Sequence, residues 1–156
     1  MPTLSKKRSR KCSLFKPSRA SRIPWCSLAG GVKSRRDALK VVQQGLTIAD
    51  FEELTTMLDV SHATLCDIAL IAQRTFSRRK KSGESFKPDE SDRILRIARL
   101  FDRGVAVLGS AEEARSWFKT SQRALGQKTP LDFMATEIGG REVEDLLGRI
   151  EHGVFS

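Results

Sequence analysis

Residues 88–108 read PDESDRILRIARLFDRGVAVL. Pro88 suits the first turn of a helix, where its missing N–H is no loss, and Asp89 and Glu90 stand at the positive end of the helix dipole. Ile94, Ile97, Ala98, Phe101, Val105 and Leu108 recur at three- and four-residue steps and make one apolar stripe. At about 1.5 Å per residue the helix spans roughly 30 Å, the width of a small domain. It is expected to be the scaffold on which the other elements pack.

Upstream, Ser82-Gly83 breaks the chain, and four shorter helices are predicted before it. The first covers 35–44 and ends at Gly45. The second covers 48–58, capped by Thr47, with Phe51, Leu54, Thr55 and Leu58 on its inner face. The third covers 62–70 behind the Ser61 cap, with Leu65, Ile68 and Ala69 inward, and the fourth covers 73–81. Downstream, Ser110 with Glu113 forms a capping-box pattern for a helix carrying Ala114, Trp117 and Phe118. Thr129 with Asp132 repeats that pattern. Gly139-Gly140 is expected to separate this helix from a last one, with Val143, Leu146, Leu147 and Ile150 on its apolar face and Gly153 as a left-handed C-cap. No segment alternates with period two. The chain reads as all-α.

The net charge of +9 is unevenly placed. Nine of the 28 cations stand within residues 1–34, which hold no acid, so the remaining 19 cations face all 19 acids. Residues 1–33 mix Ser, Arg, Lys, Pro and Gly without periodicity, the composition of a disordered basic tail that meets phosphates or an acidic surface. An upstream-annotated start codon and a transit peptide are alternative origins for that tail. Residues 34–108 read as the first folded unit and 109–156 as the second. Cys12, Cys26 and Cys66 have no ligand spacing, so neither a disulfide framework nor a metal site is expected, and a reducing cytoplasm fits. No apolar run has the length of a membrane span.

The helices at 62–70 and 73–81 have the spacing of a helix-turn-helix. With Phe76 packed inward, Gln73, Arg74, Thr75, Ser77, Arg78 and Arg79 are placed on or near the outer face, where Arg and Gln can bond base edges. Lys80 and Lys81 suit phosphate. The plain alternative is a solvated basic helix end. Leu70 and Ala72 stand where such a turn commonly has a glycine and a serine cap, which weakens turn and cap by about 1 kcal/mol each.

The most specific stretches lie at the end: Leu125-Gly126, Thr129-Pro130-Leu131, Thr136-Glu137, Gly140, Val143-Glu144, Leu147, Arg149-Ile150 and Gly153-Val154-Phe155-Ser156. On these residues, and over roughly 46–156, the chain resembles the Xre/MbcA/ParS antitoxins of RES-domain toxins. It departs where Gln127 replaces a second glycine, where Phe155 replaces a frequent tyrosine, and where Ser121-Gln122 replaces a region that commonly holds asparagine. The resemblance implies an Xre-like helix-turn-helix bundle fused to a helical toxin-binding module. It further implies an antitoxin that occludes the active site of an NAD-depleting RES-domain toxin and represses its own operon by binding operator DNA. A homodimer within a larger toxin–antitoxin complex is expected, with no cofactor and no membrane.

The terminal helix has a polar outer face and an apolar tip, which suits insertion into a partner groove. Arg141, Glu144, Arg149, Glu151, His152, Val154, Phe155 and Ser156 are the candidate toxin contacts. Among them Arg149 offers a guanidinium for an acidic or nucleotide-recognising pocket, and Phe155 an aromatic anchor. A stand-alone helix-turn-helix repressor would use the same hairpin without a specialised C-terminus. An enzyme is disfavoured, because His62 and His152 have no nucleophile at catalytic spacing and the carboxylates read as caps and solvated faces.

Overall fold

A computed structural model describes Val32 and residues 34–153. The helices among them are α1 (Arg35–Gln44), α2 (Ile48–Leu58), α3 (His62–Ile68), α4 (Gln73–Ser82), α5 (Pro88–Leu108), α6 (Ala111–Lys119), α7 (Pro130–Phe133) and α8 (Glu137–Glu151). The described residues hold no strand, only a bridge between Gln122 and Lys128 across the 3-10 turn Arg123–Leu125. The architecture is therefore all-α, a helix-turn-helix bundle followed by a helical C-terminal module. The basic tail lies outside the described residues, apart from Val32, which is buried and so belongs to the folded body.

Four helices pack on α5: α1 and α2 from the N-terminal half, α6 and α8 from the C-terminal half. Ile94, Ile97, Ala98, Leu100 and Phe101 are buried between them in a single core that runs from Leu54 and Leu65 to Phe118 and Leu147. Polar contacts join the same elements. The buried Ser91 hydroxyl accepts the Leu46 N–H at 2.9 Å, and Arg93 Nε donates to the Ala69 carbonyl at 2.7 Å, just past the end of α3. Arg115 of α6 reaches the Met57 carbonyl at 2.6 Å and Lys119 the Asp59 carboxylate at 2.7 Å, so the C-terminal module closes the end of α2. Cations at a helix C-terminus satisfy its orphan carbonyls and complement its dipole.

The caps form where their chemistry dictates. Thr47 and Asp50 make a reciprocal capping box, while Ser61, Ser110, Thr129 and Thr136 each accept an N–H three residues on. At Thr129 the Asp132 carboxylate takes the threonine hydroxyl itself, at 2.6 Å. Gly45 ends α1 at φ 86°, and a Cβ there would lie 2.4 Å from the Phe86 carbonyl, so glycine alone fits. Burial, with Asp67 adding to it, pushes the Cys66 thiol up to about 11, so at neutral pH it stays a protonated core side chain.

Two sequence expectations are corrected. Gly139-Gly140 does not separate two helices; both residues are buried inside α8, and the break falls at Met134–Thr136, where the Thr136 cap restarts the chain. The glycines serve close packing instead. A Cβ on Gly139 would lie 2.1 Å from the Phe133 carbonyl oxygen, whereas one on Gly140 would meet Leu100 Cδ1 at 3.4 Å. Arg79 is not on the outer face. It is 3% exposed, its guanidinium donates to the Glu90 carboxylate, and it lies 5.5 Å from the Phe86 ring centroid. Arg79 falls on the same side of α4 as Phe76, three residues earlier, and Glu90 also accepts the Lys87 N–H at 2.8 Å.

Gly139→Ala forces a backbone clash and should cost about 3 kcal/mol. Gly140→Ala makes ordinary contact and, through helix propensity, should be neutral or stabilising by up to about 1 kcal/mol. Urea unfolding of the two variants separates them. Arg79→Ala leaves a buried carboxylate unpaired and should lower stability by about 3–5 kcal/mol, whereas Arg78→Ala should change it by less than about 0.5 kcal/mol.

Candidate functional site

The run Arg78-Arg79-Lys80-Lys81 is distributed around α4 by the helical repeat. Gln73, Arg74, Ser77, Arg78 and Lys81 are exposed and share one side of the helix; Thr75 is half-buried and Arg79 is in the core. Lys80 donates to Glu52 of α2 at 2.6 Å, a bond that holds the Glu52 carboxyl below its ordinary value. The pair is exposed, so it contributes at most about 1 kcal/mol and Lys80 can exchange it for a phosphate. His62 stacks on Phe76 at 5.3 Å, 3.8 Å from the same carboxylate, and thus acts as part of the hairpin's packing.

The departures from the common hairpin pattern keep its backbone. Leu70 adopts φ 54°, the left-handed conformation that a glycine would take freely, and is 60% exposed. Gln127, at the other glycine-to-side-chain departure, adopts φ 65°. Each costs on the order of 1 kcal/mol relative to an unstrained residue. Ala72 supplies no side-chain cap, so the first N–H groups of α4 are open to an external acceptor.

On α8, Val143, Leu146 and Leu147 are buried, and the candidate toxin contacts divide into three groups. Glu144 and Glu151 pair with Arg99 and Arg103 of α5 at 3.3 and 3.2 Å, and Arg141 pairs with Glu137 at 2.7 Å. Arg149 is half-buried and His152 exposed. Val154, Phe155 and Ser156 lie outside the described residues. The sequence reading did not foresee the pairing with α5. Its signal was the seven-residue spacing of Glu137, Glu144 and Glu151 against Arg96, Arg99 and Arg103 on one side of α5.

Two surface features were also missed. A groove of about 680 Å³ runs between α1, α5 and α8, lined by Arg35, Asp92, Arg96, Arg99, Gly140 and Arg141 among others. A smaller one of about 320 Å³ lies beside Phe133, Thr136 and Ile138, where Ile138 is 78% exposed in the first turn of α8. Nothing in the apolar periodicity marks Ile138, which stands off the buried stripe of its helix. The described residues contain no His, Cys, Asp and Glu group that could hold a metal, and no helix long and apolar enough to cross a membrane.

Comparison with known proteins matches residues 37–99 to the antitoxin Xre-like helix-turn-helix domain and residues 103–153 to the antitoxin Xre/MbcA/ParS C-terminal toxin-binding domain. The chain is 31% identical over 143 residues to the antitoxin Xre of Yersinia enterocolitica, covering 90% of this chain and 95% of that one. It is 34% identical over 117 residues to the antitoxin Xre of Photorhabdus laumondii, covering 74% and 79% respectively. A Sphingobium protein described as a Prs ADP-ribosylating antitoxin is 22% identical over 129 residues, covering 77% of this chain and 81% of its own. A toxin-binding module sets the chain apart from a stand-alone repressor, and with both modules matched on a shared all-α body the chain belongs to the Xre/MbcA/ParS family of antitoxins.

Proposed function

We propose that this antitoxin neutralises a RES-domain toxin that consumes NAD⁺, by seating α8 and the end of the chain over the toxin's active-site cleft, and that it represses its own operon through α4. The observation that carries the toxin half is the match of 103–153 to a toxin-binding domain, on a module whose last helix keeps Arg141, Arg149 and His152 accessible. Arg141, Glu144, Arg149, Glu151, His152, Val154, Phe155 and Ser156 are the proposed contacts. Glu144 and Glu151 are held by surface pairs weak enough to be re-partnered.

The operator half rests on the exposed side of α4. Gln73, Arg74, Ser77 and Arg78 are set to read bases, while Lys80, Lys81 and the uncapped helix start are set to hold phosphate. Thr75 contributes from its half-buried position, and Arg79 is withdrawn from the contact set because it is in the core. A homodimer would present two hairpins to adjacent half-sites, one helical turn apart. Nothing in this reading uses a catalytic group or a cofactor of the antitoxin itself, and the compartment is that of its operon, the cytoplasm.

The description of the Sphingobium relative favours a second form of the toxin chemistry, in which ADP-ribose is transferred from NAD⁺ to a protein rather than to water. Both forms break the same nicotinamide glycosidic bond, so one blocked cleft stops either. The first experiment is a pull-down of the full chain from its host with mass identification. A co-purifying RES-domain protein that releases nicotinamide and free ADP-ribose only once the antitoxin is removed supports depletion. Labelling of a protein acceptor supports transfer, and recovery of DNA without such a protein defeats the toxin half.

Deleting residues 148–156 should abolish protection from the toxin while leaving operator affinity within about twofold, as read by growth rescue and gel shift. Arg74→Ala with Arg78→Ala should weaken operator binding by about 2–6 kcal/mol at fixed salt without shifting the melting temperature. Unchanged affinity in that titration would remove α4 as the reading helix.

A further inference from the structure

Three arginines follow one side of α5 at Arg96, Arg99 and Arg103, and three glutamates stand seven apart on α8 at Glu137, Glu144 and Glu151. Two rungs of this ladder are made, Arg99 with Glu144 and Arg103 with Glu151. The third is not. Glu137 turns to Arg141 within its own helix, and the guanidinium of Arg96 has no ion-pair or hydrogen-bond partner among the described residues. Its Nε is buried without an acceptor. Arg103 Nε is in the same condition, but its Nη2 is held by Glu151. Of these three arginines, Arg96 is the one whose head has no partner among the described residues.

The space beside that head is open. Gly140 faces Arg96, and a Cβ at this position would stand 3.6 Å from Arg96 Cδ and 3.8 Å from Nε. Glycine thus leaves uncovered the groove of about 680 Å³ whose walls include Arg96 and, from α1, Arg35. Arg35 also has no partner among the described residues. The two Nη groups of a guanidinium offer paired donors that a carboxylate takes bidentately.

We propose that this groove receives a carboxylate side chain of the toxin, bound by Arg96 with Arg35 beside it. The inference rests on the toxin-binding reading above. It identifies a second contact, away from the chain terminus, and the chemistry of the partner group that fills it. The groove's own charges select that group. Asp92, Glu137 and Glu144 on its walls repel a run of phosphates, whereas one carboxylate against the Arg96 guanidinium, with Arg35 on the same groove, is neutralised. The location selects the toxin as its source. One wall is the Glu137–Glu144 stretch of α8, within the residues matched to the toxin-binding domain, and Arg141 and Glu144 are already proposed toxin contacts. Leu39, 58% exposed and four residues after Arg35 on α1, adds an apolar neighbour for the partner's adjoining side chain.

The test measures binding of the full-length chain to the toxin that co-purifies with it, by calorimetry, with three forms of the antitoxin. Arg96→Met keeps the packed stem and removes the donors; it should weaken binding by about 30-fold. Arg96→Lys keeps the charge but removes the paired donors; it should weaken binding by about 10-fold. Both should melt, and shift operator DNA, as the parent does. Toxin affinity within twofold of the parent for both variants overturns the groove while leaving the toxin reading intact. A parent chain that binds no toxin overturns the reading and the groove together. A change in oligomeric state on light scattering with unchanged toxin affinity also overturns the proposal, because the occupant is then a second copy of the chain. If Arg96→Met melts early, Arg96→Lys decides the matter alone.

Discussion

A guanidinium cannot be left alone in an apolar core, and this chain places one there. Arg79 projects from the helix expected to read DNA into the junction with α5, where Glu90 accepts its charge and Phe86 covers it. Removing either charge strands the other, so the interaction fixes orientation more than it adds net stability. Its consequence is angular. With Phe76 and Arg79 both held, Gln73, Arg74, Ser77, Arg78, Lys80 and Lys81 are left outside, and the face offered to a ligand follows from the face that is buried.

Most of the fold can be read from residues whose local chemistry has one outcome. The Thr47, Ser61, Ser110 and Thr129 caps, Pro88 in a first turn and the apolar stripe of α5 leave the chain little choice. What could not be read depends on residues far apart in sequence. Gly139 and Gly140 look like a break because glycine weakens helices, and only the approach of Phe133 and Leu100 shows why α8 tolerates them. Arg79 looks like a surface cation because nothing near it in the sequence announces Glu90 as its partner. The candidate contacts on α8 were legible as a polar side, but not that Glu144 and Glu151 are already engaged with α5.

The surface charges fall into two kinds with different uses. On α4 the cations stand without acids among them, apart from the Lys80–Glu52 pair, which suits a polyanion approached from a distance. Along α5 and α8 cations and acids alternate at close range. Such a surface has little long-range field and recognises by matching individual groups. One molecule thus carries a part suited to a repetitive ligand and a part suited to a single shaped one.

Both parts are referenced to the same helix. The helix-turn-helix match ends at residue 99 and the toxin-binding match begins at 103, and both positions lie within the unbroken span of α5. A helix turns about 100° per residue. Adding or losing one residue between the two matches would swing one half around the other by that angle and tear the common core, and seven residues, though nearly in phase, would still slide the halves about 10 Å apart along the axis. Substitutions on the two surfaces leave this geometry alone, whereas changes of length are accommodated only outside the helix. The join between the two modules is consequently intolerant of insertion for a reason of geometry, independent of what either half binds.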